Sequence, residues 1–360
     1  MKRLLLLILL ASCSRGSSGS LTFGAAGPWK EGYGAMNRRG IELAVSQINT
    51  RPERVGSPLQ IRYEDDEGSG ETASRIAQRF VDTPEISAVI GHVNSGAMVA
   101  AAQVYDGRLA AVATAATSPA LTGISPWAFR VISSDSSNGR DIALFANRLG
   151  RSRAAILYEN NSYGRGLADA FRRAFAGRVV SMDPVGETRD QSFDAYIEGF
   201  RRGAADVVFV AGSEESGLTF LREARARGVA VDLLGGDGWS GLSLDTLRAQ
   251  GIYVGVPFTA EDPRPQAQRF VAAFSQRFHM RPDNNAALAY DATMLLYAAA
   301  TNSRGDRRAI RDYLAALTPA TAYQGVTGPI SFGTGGDPVG KNVVMTRIDH
   351  GTLRLAEVSK

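Results

Sequence analysis

Apolar residues along the chain fall into two alternating rhythms. Short unbroken runs such as Ala88-Val89-Ile90, Ala110-Ala111-Val112-Ala113 and Val207-Val208-Phe209-Val210-Ala211 alternate with stretches where apolar positions return at helical spacing. Examples of the second kind are Met36, Gly40, Ile41, Ala44, Val45 and Ile48, and then Ala73, Ile76, Ala77, Phe80 and Val81. An apolar run without polar alternation implies a strand covered on both faces, so strands and helices in alternation predict parallel sheets flanked by helices. The first series places strands at 21–23, 59–63, 88–90 and 110–113, with helices at 36–48, 73–81 and 97–105. A glycine-rich loop is expected over 24–34. A second series begins near Arg130, with helices at 142–149, 167–175, 193–200 and 218–226 and strands at 154–158, 179–182, 207–211 and 231–234. Beyond a strand at 252–256 come helices at 270–278, 286–300 and 310–317, then extended chain at 328–332 and 342–347. The fold class predicted is α/β, with two doubly wound parallel-sheet lobes, and a chain of 360 residues exceeds the usual single core.

The first residues follow neither rhythm. Lys2 and Arg3 precede the apolar run Leu4 to Leu10, which is too short to span a bilayer and reads as a secretory signal. It ends on Leu10-Ala11-Ser12-Cys13, which resembles a bacterial lipobox, and Cys13 is the only cysteine in the chain. Lipidation at Cys13 is therefore expected, with Ser14 to Ser20 as a flexible tether. Hydrophobic residues make up 44% and charged residues 21%, a globular and not a disordered balance. The net charge of +4 raises the question of nucleic acid. Its basic pairs, Arg172-Arg173, Arg201-Arg202 and Arg307-Arg308, stand among acids without aromatic interleaving, so they read as solvated faces and no nucleic-acid partner is expected.

Candidate chemistry concentrates at strand ends, where helix N-termini in parallel α/β sheets aim backbone N–H groups at small anions. Ser95 and Thr117 both stand there, and their hydroxyls and nearby amides suit a carboxylate without any arginine. Read from the residues alone, the favoured reading of each is plainer, Ser95 as a helix N-cap and Thr117-Ser118-Pro119 as a turn. The histidines, His92, His279 and His350, form no metal-spaced pair, and neither a metal nor a cofactor is expected. His92 reads as structural. Gly236-Asp237-Gly238-Trp239-Ser240-Gly241 matches a dinucleotide-binding spacing, but residues 242–250 are short for the crossover helix that motif needs. No enzyme is expected.

Six stretches, in order, resemble the periplasmic leucine/isoleucine/valine-binding proteins, the type I solute-binding components of ABC importers. They are Gly27-Pro28 with Tyr33-Gly34, Tyr63-Glu64-Asp65-Asp66, Ile90-Gly91-His92, Ala115-Ala116-Thr117-Ser118-Pro119-Ala120-Leu121-Thr122, Tyr163-Gly164-Arg165-Gly166-Leu167-Ala168 and Gly328-Pro329-Ile330. The resemblance implies a periplasmic or envelope protein that captures an amino-acid-like small molecule and delivers it to membrane permease subunits. It implies that Ser95, Ala115 and Thr117 hold the ligand's α-carboxylate and part of its amino group, that Asp237 pairs with the α-ammonium, and that Tyr163 and Tyr33 wall the cleft. Asn94, Ser213 and Asn285 stand where aliphatic binders are less polar, which predicts a polar or differently shaped amino acid, or a small carboxylate or amide. The expected division is a signal and tether over 1–20, lobe one over 21–131 and 258–329, and lobe two over 132–257 and 330–360. Crossovers at 130–133, 253–258 and 328–332 would form a three-strand hinge. The alternative role on the same fold is a lipid-anchored ligand sensor or an envelope interaction lipoprotein.

Overall fold

The computed structural model describes residues 21–52, 58–186 and 192–357. The expected signal, Cys13 and the tether lie outside the described residues.

The first series folds as β1 (Thr22–Gly27), α1 (Gly32–Asn49), β2 (Gln60–Asp65), α2 (Gly70–Val81), β3 (Ile86–Ile90), α3 (Ser95–Tyr105), β4 (Ala111–Ala113) and β5 (Ala128–Arg130). These strands form one parallel sheet in the order β2-β1-β3-β4-β5. Period two sorts their side chains: Phe23, Ala88 and Ile90 enter one core, while Ala26 and Val89 enter the core on the other face. The chain continues through α4 (Asp135–Arg148), β6 (Arg153–Glu159), α5 (Ser162–Ala174), β7 (Arg178–Val185), α6 (Asp194–Arg202), β8 (Val207–Ala211), α7 (Glu214–Ala226), β9 (Asp232–Gly235) and β10 (Tyr253–Val256). It then forms α8 (Pro265–Phe278), α9 (Asn284–Asn302), α10 (Arg307–Ala315), β11 (Tyr323–Gly325), β12 (Gly328–Ile330), β13 (Val344–Asp349) and β14 (Thr352–Leu355). The second sheet runs β14-β13-β10-β9-β8-β6-β7. Its β6 to β10 portion is parallel, and β13 and β14 are added antiparallel at one edge.

Helices α8, α9 and α10 cover the first sheet, not the second. Phe270, Phe274, Leu288, Leu295 and Ile310 share a core with Phe23, Ile41 and Phe129. Helix α9 is buried along most of its length, because it sits between this sheet and the outer helices. Ile330 and Phe332 still pack in that core, with the Phe332 ring 5.0 Å from Phe129, so the chain joins the second sheet only at β13.

The glycine-rich stretch differs from the expectation. Gly24 to Gly27 extends β1 instead of forming a loop. A Cβ on Gly24 would come within 2.8 Å of the Phe80 ring, so the small residue serves close packing of α2 on the sheet. The dinucleotide-like glycine run likewise opens no helix: residues Asp237–Leu244 form a 3₁₀ segment whose Trp239 is fully buried in the second core.

Candidate functional site

The carboxyl ends of the two sheets face each other, and one cavity of about 160 Å3 lies between them. Of the eight residues assigned to ligand binding from the sequence, seven line it: Tyr33, Asn94, Ser95, Ala115, Tyr163, Ser213 and Asp237. Asn285, at the start of α9, lines it too. Thr117 does not. It is fully buried beside Ser95, and its N–H donates to Ser95 Oγ at 3.2 Å.

On the first-sheet side, Asn94 is the N-cap position of α3 and Ser95 its first residue, so the cap expected at Ser95 falls one residue earlier. The Asn94 side chain does not cap. Its Nδ2 donates to Tyr33 Oη at 2.9 Å, which leaves the first-turn N–H groups of α3 without a side-chain acceptor. Ser95 Oγ accepts from the N–H groups of Thr117 and Ser118, at 3.2 and 3.1 Å. Its own proton is therefore available to donate. One hydroxyl thus joins the ends of β3 and β4 and presents, with the α3 N-terminus, a donor set suited to a carboxylate. Tyr33 remains a neutral phenol, its pKa pushed up to about 12 chiefly by burial.

On the second-sheet side, Asp237 follows β9 and is 5% exposed. Tyr163 Oη donates to its Oδ1 at 3.2 Å and accepts from the N–H of Gly238 at 3.2 Å. Burial raises the Asp237 pKa to about 6, and the Tyr163 hydrogen bond restrains the rise. The glycines on either side are required by this arrangement, since a Cβ on Gly236 or Gly238 would meet Tyr163 Oη at 2.9 or 3.0 Å. Tyr163 itself is held by α5, whose N-cap Asn161 accepts from Gly164 N–H.

Sequence reasoning missed three acidic or amide groups. Glu159 ends β6, is 3% exposed and lines the cavity. Its Oε1 accepts from Ser213 N–H at 2.8 Å and Ser213 Oγ at 2.5 Å, and its Oε2 accepts from Asn161 Nδ2 at 3.1 Å. Both Glu159 and Asn161 stand at a predicted strand end, so the rule that found Ser95 applied to them as well. The third, Asp135, opens α4 just behind the cavity and carried no such signal. Its N–H donates to Thr117 O at 2.8 Å, yet neither carboxylate oxygen has a hydrogen-bond partner among the described residues. Thr117 Oγ1 is near enough to ease its ionisation without forming a hydrogen bond of good geometry. Burial foremost, and the neighbouring Asp237 next, hold the Asp135 carboxyl well above the usual carboxylate range.

His92 lies away from the cavity. Its Nδ1 is 2.7 Å from Asp66 Oδ2 and its Nε2 3.0 Å from Tyr105 Oη, a buried structural network.

A cavity between two α/β layers, with neutral donors on one wall and acids on the other, is the geometry of a small-solute receptor. The model of the family described as "Periplasmic binding protein" matches residues 23–352. The chain belongs to the periplasmic binding protein family. This binding protein is 25% identical over 313 residues to the Leu/Ile/Val-binding protein homolog 2 of Brucella abortus, covering 85% of the present chain and 83% of the relative. Among solved structures it is similar to an ABC transporter substrate-binding protein from Desulfitobacterium hafniense in complex with Leu, at 30% identity and a TM-score of 0.81. That match covers 94% of the binding protein and 100% of the neighbour. It is also similar to the branched-chain amino acid transporter substrate binding protein LivJ from Streptococcus pneumoniae in complex with isoleucine. There the identity is 26% and the TM-score 0.87, with 95% and 99% of the two chains covered. The expected family and fold class are thus borne out, and the family is one of solute-binding proteins, not of enzymes.

Proposed function

We propose that this binding protein is the extracytoplasmic receptor of an ABC importer and captures an α-amino acid, or a related small carboxylate or amide, between its two lobes. The reading rests most on one observation: side chains selected from the sequence on both sheets line one cavity between them. Ser95, the α3 N-terminus and the backbone around Ala115 take the ligand's carboxylate. Asp237, oriented by Tyr163, takes the α-ammonium. Thr117 acts from behind, by holding Ser95 and facing Asp135.

Ligand meets the first lobe, and rotation about the crossovers near 130–133, 253–258 and 328–332 brings Asp237 and Tyr163 onto it. A ligand drives this closure only by its greater affinity for the closed form. The lobes follow the expected segments, 21–131 with 258–329 and 132–257 with 330–360, except that Ile330 and Phe332 pack with the first lobe and the chain enters the second at β13; the closed pair is what the permease subunits recognise. Cys13 anchors the receptor to a membrane through a lipid, with residues 14–20 as its tether. Calorimetric titration of the purified protein against the amino acids, short amides and small carboxylates tests the reading. Saturable heat with at least one of them is expected, and silence across the panel overturns it.

A further inference from the structure

The cavity has two ends of different chemistry. The end with Ser95 and Asp237 meets groups that every α-amino acid carries. The other end is formed by Asn94, Asn161, Ser213 and Glu159, and it continues outward into the mouth of the cleft, a space of about 560 Å3 that shares these residues. Among the described residues, no lysine, arginine or histidine lines the inner cavity.

Hydrogen-bond acceptors are in excess at this outer end. Asn94 donates its Nδ2 to Tyr33, which fixes its Oδ1 as an acceptor, and that oxygen is buried without a partner. Glu159 is anchored facing the cavity by Ser213 and Asn161, and its carboxylate keeps lone-pair directions beyond those three bonds. Further out, among the described residues, the mouth carries Glu31, Glu67 and Glu214 along with Glu215 and Arg222, and Lys30 lies beside Glu67 at 3.8 Å. This local negative field stands on a chain whose net charge is +4, so it is a feature of the cleft and not of the whole surface.

We infer that the side chain of the captured amino acid ends in a cation that Glu159 receives, with Asn94 Oδ1 accepting a second N–H. This specifies the ligand of the site proposed above and rests on that reading. An ammonium or guanidinium terminus supplies the donors this end lacks and is drawn in by the acidic mouth. A carboxylate side chain meets like charge. An aliphatic one leaves the buried Asn94 acceptor unpaired and Glu159 uncompensated.

Calorimetry on the full-length protein at low salt, with ornithine, lysine, arginine, glutamine and leucine as probes, decides the matter. At least one basic amino acid is expected to bind about tenfold or more tightly than glutamine and leucine, with the margin shrinking as salt is added. Glu159→Gln, which keeps an oxygen for Ser213, should reduce binding of the basic ligand about tenfold while changing alanine little. The double variant Glu31→Gln/Glu67→Gln, on exposed side chains, should slow association of the basic ligand and not of leucine. Glutamine or leucine binding as tightly as every basic probe overturns the inference, as does an equal loss for alanine and the basic ligand in Glu159→Gln. If no α-amino acid binds at all, the inference is overturned, whereas the capture reading fails only if the small carboxylates and amides are silent as well.

Discussion

The two walls of the cleft are built by the same βα rule and end in different electrostatics. On the first-sheet wall every described residue lining the cavity is uncharged, and Ser95 is fixed there by accepting from the Thr117 and Ser118 N–H groups. On the second-sheet wall stand Asp237 and Glu159, with Asp135 buried just behind the cavity. A zwitterion needs both kinds of surface. Dividing them between lobes means that neither wall alone satisfies the ligand, so the second set of contacts forms only on closure. Among the described residues these acids have no basic residue opposite them in the cavity to offset their burial. That is why burial raises Asp237 and Asp135 toward the neutral form.

The contrast is broken most severely by removing the charged wall's central group. Asp237→Ala is expected to weaken α-amino acids about thirtyfold or more by calorimetry, because a charge-assisted pair between desolvated groups is worth about 2–5 kcal/mol. Acid should reproduce that loss without mutation. Only ionised Asp237 attracts an ammonium, and its pKa in the empty protein lies at about 6. Affinity should therefore be flat above pH 6 and fall about tenfold per unit below it, as protonation competes with ligand. Tyr163→Phe removes the hydrogen bond that lowers the Asp237 pKa, so the midpoint of this profile should move upward in a pH series of titrations. On the uncharged wall the effects are smaller. Ser95→Ala should cost about tenfold for any ligand with a carboxylate, since neutral hydrogen bonds contribute about 0.5–1.5 kcal/mol each. It should also lower the melting temperature, because the Thr117 and Ser118 N–H groups lose their acceptor.

How much of this was legible in the sequence follows from where each signal resides. Fully covered strands such as β8 and long helices such as α9 announce themselves by composition and period. The three-residue strands β5 and β11 and the edge strand β14 were missed, because so few residues carry no period of their own and pairing alone defines them. Gly24 to Gly27 read as a loop because Gly24 answers to Phe80 and Gly27 to Val93, contacts remote in sequence. At the cleft, Ser95 was legible as a strand end, a local feature, while Ala115 and Asp237 were reached only through the family resemblance. Glu159 and Asn161 satisfy the same rule but lay in no motif that drew attention. Asp135 was beyond reach, since only the tertiary fold sets it against Thr117 and Asp237.

The central claim is that one wall reads the carboxylate and the other the ammonium. Its most direct test is a paired calorimetric titration of the wild-type protein and Asp237→Ala, each with the best-bound α-amino acid and with its des-amino carboxylate. The division of labour predicts that the substitution costs the amino acid at least about tenfold more affinity than the des-amino acid. Equal losses for the two ligands would contradict it.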